Sequence, residues 1–260
     1  MIHWRIVLAG LTAVLLVGHS SNIIAQQPQP ARGKGLIAIE QAAKANKYLF
    51  IFFYREQDDR TGAMSHVFDE AVKSLAGRAD SVMVPISDPA EAAILGKFQV
   101  SRAPMPLVLT LAPNGAVTGG FPGNFTKEQL LGSFATPCME RLLKAIQDGK
   151  LVVLCLQNGQ TRLNVEAMRG VQDFKEDQRY SRAVEVLMLD PSSVAERPLL
   201  AKLGIRTAVE EAITLLVAPP GSVIGSFKGA TDKNQLVSSL MSAASGCGAG
   251  CQAGQCGVSN

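Results

Sequence analysis

The chain has 260 residues, 47% of them hydrophobic and 18% charged, with a formal net charge of +3. That length suits about two domains of ordinary size, each able to bury its own core. The balance excludes a disordered polyelectrolyte, and without a basic stripe interleaved with aromatics it also excludes a nucleic-acid surface.

At the start, Arg5 precedes an uncharged run from Ile6 to Gly18, and a small residue follows at Ala25. This pattern predicts a secretory signal peptide over residues 1–25, because the run is short for an anchor, which needs ~20 apolar residues. Cleavage implies export to a periplasm or the cell exterior, with no membrane span left in the mature protein. It also removes Trp4, His3 and His19, leaving no tryptophan and His66 as the single histidine. Residues 26–35 (QQPQPARGKG) read as a flexible leader rich in Pro and Gly.

A first domain is expected over residues 36–135. Its elements are a helix from Ile37 to Asn46, a buried strand from Tyr48 to Tyr54 (YLFIFFY), a helix from Thr61 to Leu75 and a strand from Ser81 to Ile86. A helix from Glu91 to Phe98, paired strands at Leu107 to Ala112 and Ala116 to Gly120, and a helix from Thr126 to Phe134 complete it. Thr126 and Gln129 have capping-box spacing. A second domain over residues 136–244, entered where Pro137 interrupts the helix before it, repeats the order. It has a helix from Met139 to Gln147, a strand from Leu151 to Leu156, a helix within Val165 to Phe174 and a strand from Val184 to Leu189. A helix from Ala195 to Leu203, strands at Ala212 to Val217 and Ser222 to Phe227, and a helix from Asp232 to Ala243 follow. A Gly- and Cys-rich tail occupies residues 245–260.

The repetition is direct. The 19 residues from Ala112 (APNGAVTGGFPGNFTKEQL) recur without a gap from Ala218 (APPGSVIGSFKGATDKNQL), with ten identities. A spacing of 106 residues, from 112 to 218, is too long for a solenoid and fits a duplicated domain. Helices and strands in this order predict two tandem α/β domains, each a mixed central sheet in a three-layer α/β/α arrangement.

The first unit resembles the thioredoxin-like superfamily. The likeness lies in NKYLFIFFYREQDDRTG as the strand leading to the active-site helix, in VSRAPMPLVL as the loop that carries that family's cis-proline, and in APNGAVTGGFPGNFTKEQL as the closing hairpin and helix. It covers nearly all of residues 36–135, and the second unit joins it through its likeness to the first. The resemblance implies that the two redox cysteines fall where this chain has Asp58 and Thr61, with Gln57 in place of the usual tryptophan. In the second copy the matching residues are Thr161 and Asn164. Dithiol exchange needs a low-pKa thiolate at a helix N-terminus and a resolving thiol, so these positions read as degenerate. Either Asp58 or Thr61 can instead cap the helix that follows. The resemblance also assigns the cis bond to Ala103–Pro104, as a relic turn or as a surviving peptide-docking edge. In the second copy Val209 stands where that proline would be.

Other chemistry has little support. His66 lies at helical spacing with no partner histidine, and Glu210 with Glu211 reads as a solvated loop. The hairpin APNGAVTGG is no phosphate cradle. Five cysteines remain, of which Cys138 sits near the domain boundary and Cys155 within an apolar strand. Cys247, Cys251 and Cys256 in the tail could close small disulfides, including an intermolecular one, or hold a soft metal such as copper or zinc. The reading is an exported tandem thioredoxin-like protein with no catalytic residues at its degenerate sites, acting as a protein-binding or scaffold module with no cofactor. The competing reading is thiol-redox or soft-metal handling through the tail.

Overall fold

The computed structural model describes residues 32–75, 77–205 and 208–248, with side chains to residue 245. The expected signal peptide, most of the leader, and Cys251 and Cys256 of the tail lie outside the described residues. No helix among the described residues is long and apolar enough to cross a membrane.

The first domain runs α1 (Lys34–Lys44), β1 (Tyr48–Tyr54), α2 (Asp59–Ser74), β2 (Ala79–Pro85), α3 (Ala92–Phe98), β3 (Leu107–Leu111), β4 (Val117–Pro122) and α4 (Lys127–Leu131). The second runs α5 (Pro137–Gln147), β5 (Leu151–Leu156), α6 (Asn164–Glu176), β6 (Val184–Leu189), α7 (Arg197–Lys202), β7 (Ile213–Ala218), β8 (Ser222–Lys228) and α8 (Lys233–Gly248). The sheets have the orders β2-β1-β3-β4 and β6-β5-β7-β8. In each, the first pair is parallel and the other two are antiparallel. These are two tandem α/β domains, each a four-stranded mixed sheet with flanking helices.

Strand periodicity divides each central strand between two cores. Tyr48, Phe50 and Phe52 pack with Phe68 of α2 and Leu130 of α4, whereas Leu49, Ile51 and Phe53 pack with Ala42 of α1 and Ile94 of α3. In the second domain Val153 and Cys155 face Phe174 and Leu236, and Val152, Leu154 and Leu156 face Leu142 and Leu199. An unbroken apolar run is therefore what a strand covered on both faces requires.

Half of the ten repeated identities answer to backbone geometry. Gly115 and Gly221 turn the two hairpins at φ +81 and +136, and Gly123 and Gly229 leave the last strands at φ +79 or slightly below. A Cβ on Gly119 would come within 2.7 Å of the Phe121 ring, and one on Gly225 within 3.0 Å of Phe227. Each Phe thus folds back across its own strand. Thr126 and Gln129 form the expected capping box, and Asp232 and Gln235 form its counterpart with two reciprocal 2.9 Å bonds.

A second repeated device escapes sequence inspection. Glu91 and Glu196 are buried carboxylates, 2% and 8% exposed. Glu91 accepts the Gly35 amide at 3.1 Å and Glu196 the Cys138 amide at 2.9 Å, so each places negative charge at the N-terminus of its domain's first helix. Pro137, expected to interrupt a helix, is instead the first residue of α5, with Thr136 as its cap. Helix α4 has already ended at Leu131.

The domains meet through α5. The Gln147 side-chain amide bonds both the N–H and the C=O of Val117 at 2.8 Å, and Asn114 donates to the Glu140 carbonyl at 2.9 Å. Tyr48 donates to the Glu140 carboxylate and accepts the Ala135 amide at 2.9 Å. Burial first, and then the bond to Glu140, raise its phenol pKa above the ordinary tyrosine range. Leu143 packs against the cores of both domains.

Two helix glycines, exposed Gly62 on α2 and buried Gly170 on α6, should respond in opposite senses to alanine. A Cβ on Gly170 would lie 1.9 Å from the Thr231 carbonyl oxygen, so Gly170→Ala should destabilise by at least about 1–3 kcal/mol in denaturant melts. Gly62, in the first turns of α2, has open space around it, and Gly62→Ala should stabilise by about 0.5–1 kcal/mol in the same measurement.

Candidate functional site

In the first domain, the start of α2, the loop before β3 and the turn after β4 converge at one end of the sheet. Asp58 is the N-cap of α2, its carboxylate accepting the Thr61 amide at 2.7 Å. Thr61 is buried, while Gln57 and Asp58 are exposed. The Thr61 backbone N–H, followed by its side chain, holds the Asp58 carboxyl below the usual carboxylate range. Arg60 reaches across to Asn124 at 3.2 Å, and Gly123 donates its N–H to the Pro106 carbonyl at 2.6 Å. A side chain on Gly123 would meet the Arg60 guanidinium at 2.9 Å, so glycine permits this approach as well as the positive φ.

The cis bond differs from expectation. It is Met105–Pro106, not Ala103–Pro104. Ala103 follows a short 3-10 turn, and Pro104 is an exposed loop residue two positions before the buried Pro106. Both prolines stand in RAPMPLVL, and only the sheet register, in which Leu107 pairs with Phe53 and Pro122, shows that Pro106 directly abuts the strand. The counterpart of Pro106, 106 residues on, is therefore Ala212, and Val209 does not hold that place. A second cis bond, Pro219–Pro220, lies in the hairpin of the second domain.

The exchange of proline for alanine changes the loop. Ala212 has an N–H and donates it to the Arg162 carbonyl at 2.9 Å, while the Arg162 N–H donates to the Glu210 carbonyl at 2.9 Å. This is a short parallel bridge between the start of α6 and the loop before β7. Arg162 adds an ion pair to Glu211 at 3.0 Å, so the acidic pair expected to be merely solvated fastens this bridge. Leu163 lies over Gly229. Thr161 accepts the Asn158 amide at 2.9 Å and donates to Asn164 at 2.7 Å, closing a local turn. Pro106 has no N–H to give, and among the described residues no backbone bond joins the corresponding loop of the first domain to the start of α2. Arg162 carried no sequence signal, since its role depends on the residue opposite.

The remaining candidates are dispersed. His66 is exposed on α2 beside Glu70 at 3.7 Å. Cys138 and Cys155 are buried free thiols. Burial, then the Glu196 charge, pushes Cys138 up to about 11, and burial pushes Cys155 up to about 12. Neither has thiolate character near neutrality. Cys247 falls in the last turn of α8, its side chain outside the described residues, as are Cys251 and Cys256. No group of three or more His, Cys, Asp or Glu residues is placed to hold a metal among the described residues.

No family model and no curated protein matches the chain. Solved structures do. The first two thioredoxin domains of Saccharomyces cerevisiae Eps1p align at 13% identity over 82% of this chain and 97% of that one, with a TM-score of 0.29. Oxidised thioredoxin O2 of Arabidopsis thaliana aligns at 16% identity over 44% of this chain and 91% of that one, with a TM-score of 0.33. The exposed lipoprotein thioredoxin of Streptococcus pneumoniae aligns at 15% identity over 36% and 87%, with a TM-score of 0.31.

The Asp58 cap should make stability depend on pH. Because its folded pKa is depressed, the contribution is present above the ordinary carboxylate pKa, about 3.9, and is lost as pH falls through the folded value. Asp58→Ala should lower the melting temperature at pH 7, and the gap from the parent protein should narrow below about pH 4. Site-resolved thiol labelling of the native protein at pH 7 should leave Cys138 and Cys155 unmodified until denaturant is added.

Proposed function

We propose that the chain is an exported tandem thioredoxin-like protein that binds protein or peptide partners and does not exchange disulfides at either sheet end. The observation that carries this reading is Asp58. At the start of α2, where the resemblance puts the attacking thiolate, a carboxylate is bonded to the Thr61 amide and closes the helix. A carboxylate there caps the helix and supplies no sulfur chemistry.

The difference between the two loops supports a binding role for the first domain. Around Ala103 to Pro106 the backbone is not bridged to α2, whereas its counterpart in the second domain is joined to Arg162 by two backbone bonds. An extended peptide would find its partner groups on the first domain and meet Arg162 on the second. Residues 1–25 would direct the protein to a periplasm or the exterior.

A second reading keeps thiol or soft-metal chemistry and places it in the tail. It is favoured by the burial of Cys138 and Cys155, which leaves Cys247, Cys251 and Cys256 as the sulfurs to carry any such activity. Bridged tail thiols would close very small loops and be readily reduced.

Turnover separates the two. A chain with Cys247, Cys251 and Cys256 replaced by Ser should reduce a protein disulfide no faster than a cysteine-free control, and Asp58→Cys with Thr61→Cys should create a pair that bridges on oxidation. Turnover by the tail-substituted chain would overturn the degenerate-site reading. Loss of monovalent copper binding in that variant, with an unchanged melting temperature, would establish the tail reading.

A further inference from the structure

Strands β4 and β8 are the outer edges of their sheets, and they are equivalent in the repeat, Val117 corresponding to Val223. On β4 the outward N–H and C=O of Val117 are both bonded by the Gln147 side-chain amide at 2.8 Å. That carboxamide does what a peptide group of a neighbouring strand would do. On β8 no hydrogen bond reaches the outward backbone of Val223 from a side chain or loop among the described residues, and its side chain is 49% exposed. We propose that β8 pairs antiparallel with β8 of a second copy, joining two second-domain sheets across a two-fold axis.

A head-to-tail arrangement, with α1 of one copy covering β8 of the next as α5 covers β4, lacks its anchors. Gln147 is replaced by Lys44, which has no acceptor, Leu143 by Glu40, already paired to Arg32, and Asn114 by Pro220, which has no side-chain donor. Strand pairing needs none of these. The sequence of β8, SVIGSFK, has no proline and no acidic residue, and its edge protection is limited to Lys228 at the strand end and one extra residue, Ile224, in its register with β7. Its counterpart β4 ends in Pro122 and is covered by α5. Antiparallel pairing sends the two copies of Lys228 to opposite ends of the joint, where they do not repel. A closed two-fold contact of this kind yields a dimer and stops there.

The test is sedimentation of the full chain over a wide concentration range under reducing conditions, so that tail thiols do not link copies. The parent protein should pass reversibly from monomer to dimer, and the Val223 amide should exchange its hydrogen more slowly as the dimer fills. Ser226→Lys, at an exposed position of β8, places like charges at the joint and should weaken association roughly 2- to 30-fold, from two such residues per dimer. Gly120→Lys, which puts a lysine at the equivalent position of covered β4, should leave association unaltered. A monomer at every concentration would overturn the proposal, as would a dimer that responds equally to the two substitutions or leaves Val223 exchange unchanged. Such results would assign the edge to an extended peptide from another protein or to no strand at all.

Discussion

The outer edge of β4 leaves Val117 with a donor and an acceptor to satisfy, and helix α5 meets both through one side-chain amide. Two bonds of this kind contribute about 0.5–1.5 kcal/mol each. The same helix supplies Leu142 to the second core and Leu143 to both, so it cannot shift toward one sheet without loosening the other. Tyr48 then holds the connection, bonded to Ala135 and Glu140 while its ring packs 4.3 Å from Phe134. The second domain begins as the cover of the first.

Duplication has preserved what the fold needs and released what it does not. Hairpin glycines, the Gly-x-Phe fold-back, the capping boxes and the buried carboxylates of Glu91 and Glu196 recur because each answers a backbone constraint that exists twice. At the sheet ends, where chemistry would lie, the copies diverge. Ala212 in one copy has a backbone N–H that Pro106 in the other lacks, and that donor lets Arg162 bridge the second loop. The two domains therefore present unlike ends from a shared scaffold. The buried thiols belong to the scaffold: Cys155 takes the place in β5 that Phe52 takes in β1, and Cys138 lies in the first turn of α5 against Glu196.

Much of the fold was legible in the chain because the signals were local. YLFIFFY and LVVLCL are apolar throughout, as strands covered on both faces must be, and β5 and β6 have the bounds that patterning predicts. Thr126 and Gln129 announced their capping box by spacing alone. The repeat announced the second domain. What failed was the choice between Pro104 and Pro106, two residues apart in one loop, because both fit the pattern and only the pairing of Leu107 with Phe53 shows where the strand begins.

The sequence by itself determined the order of elements, the duplication, and the carboxylate and hydroxyl at the start of α2, since periodicity, turn residues and caps act over a few neighbours. Only tertiary structure decided that α5 closes the edge of β4, that Glu91 and Glu196 serve helices 56 and 58 residues away, and that Arg162 fastens the loop of the second domain. Those contacts join groups far apart in the chain, and their partners are chosen by which backbone donors and acceptors the packed sheets leave unmet.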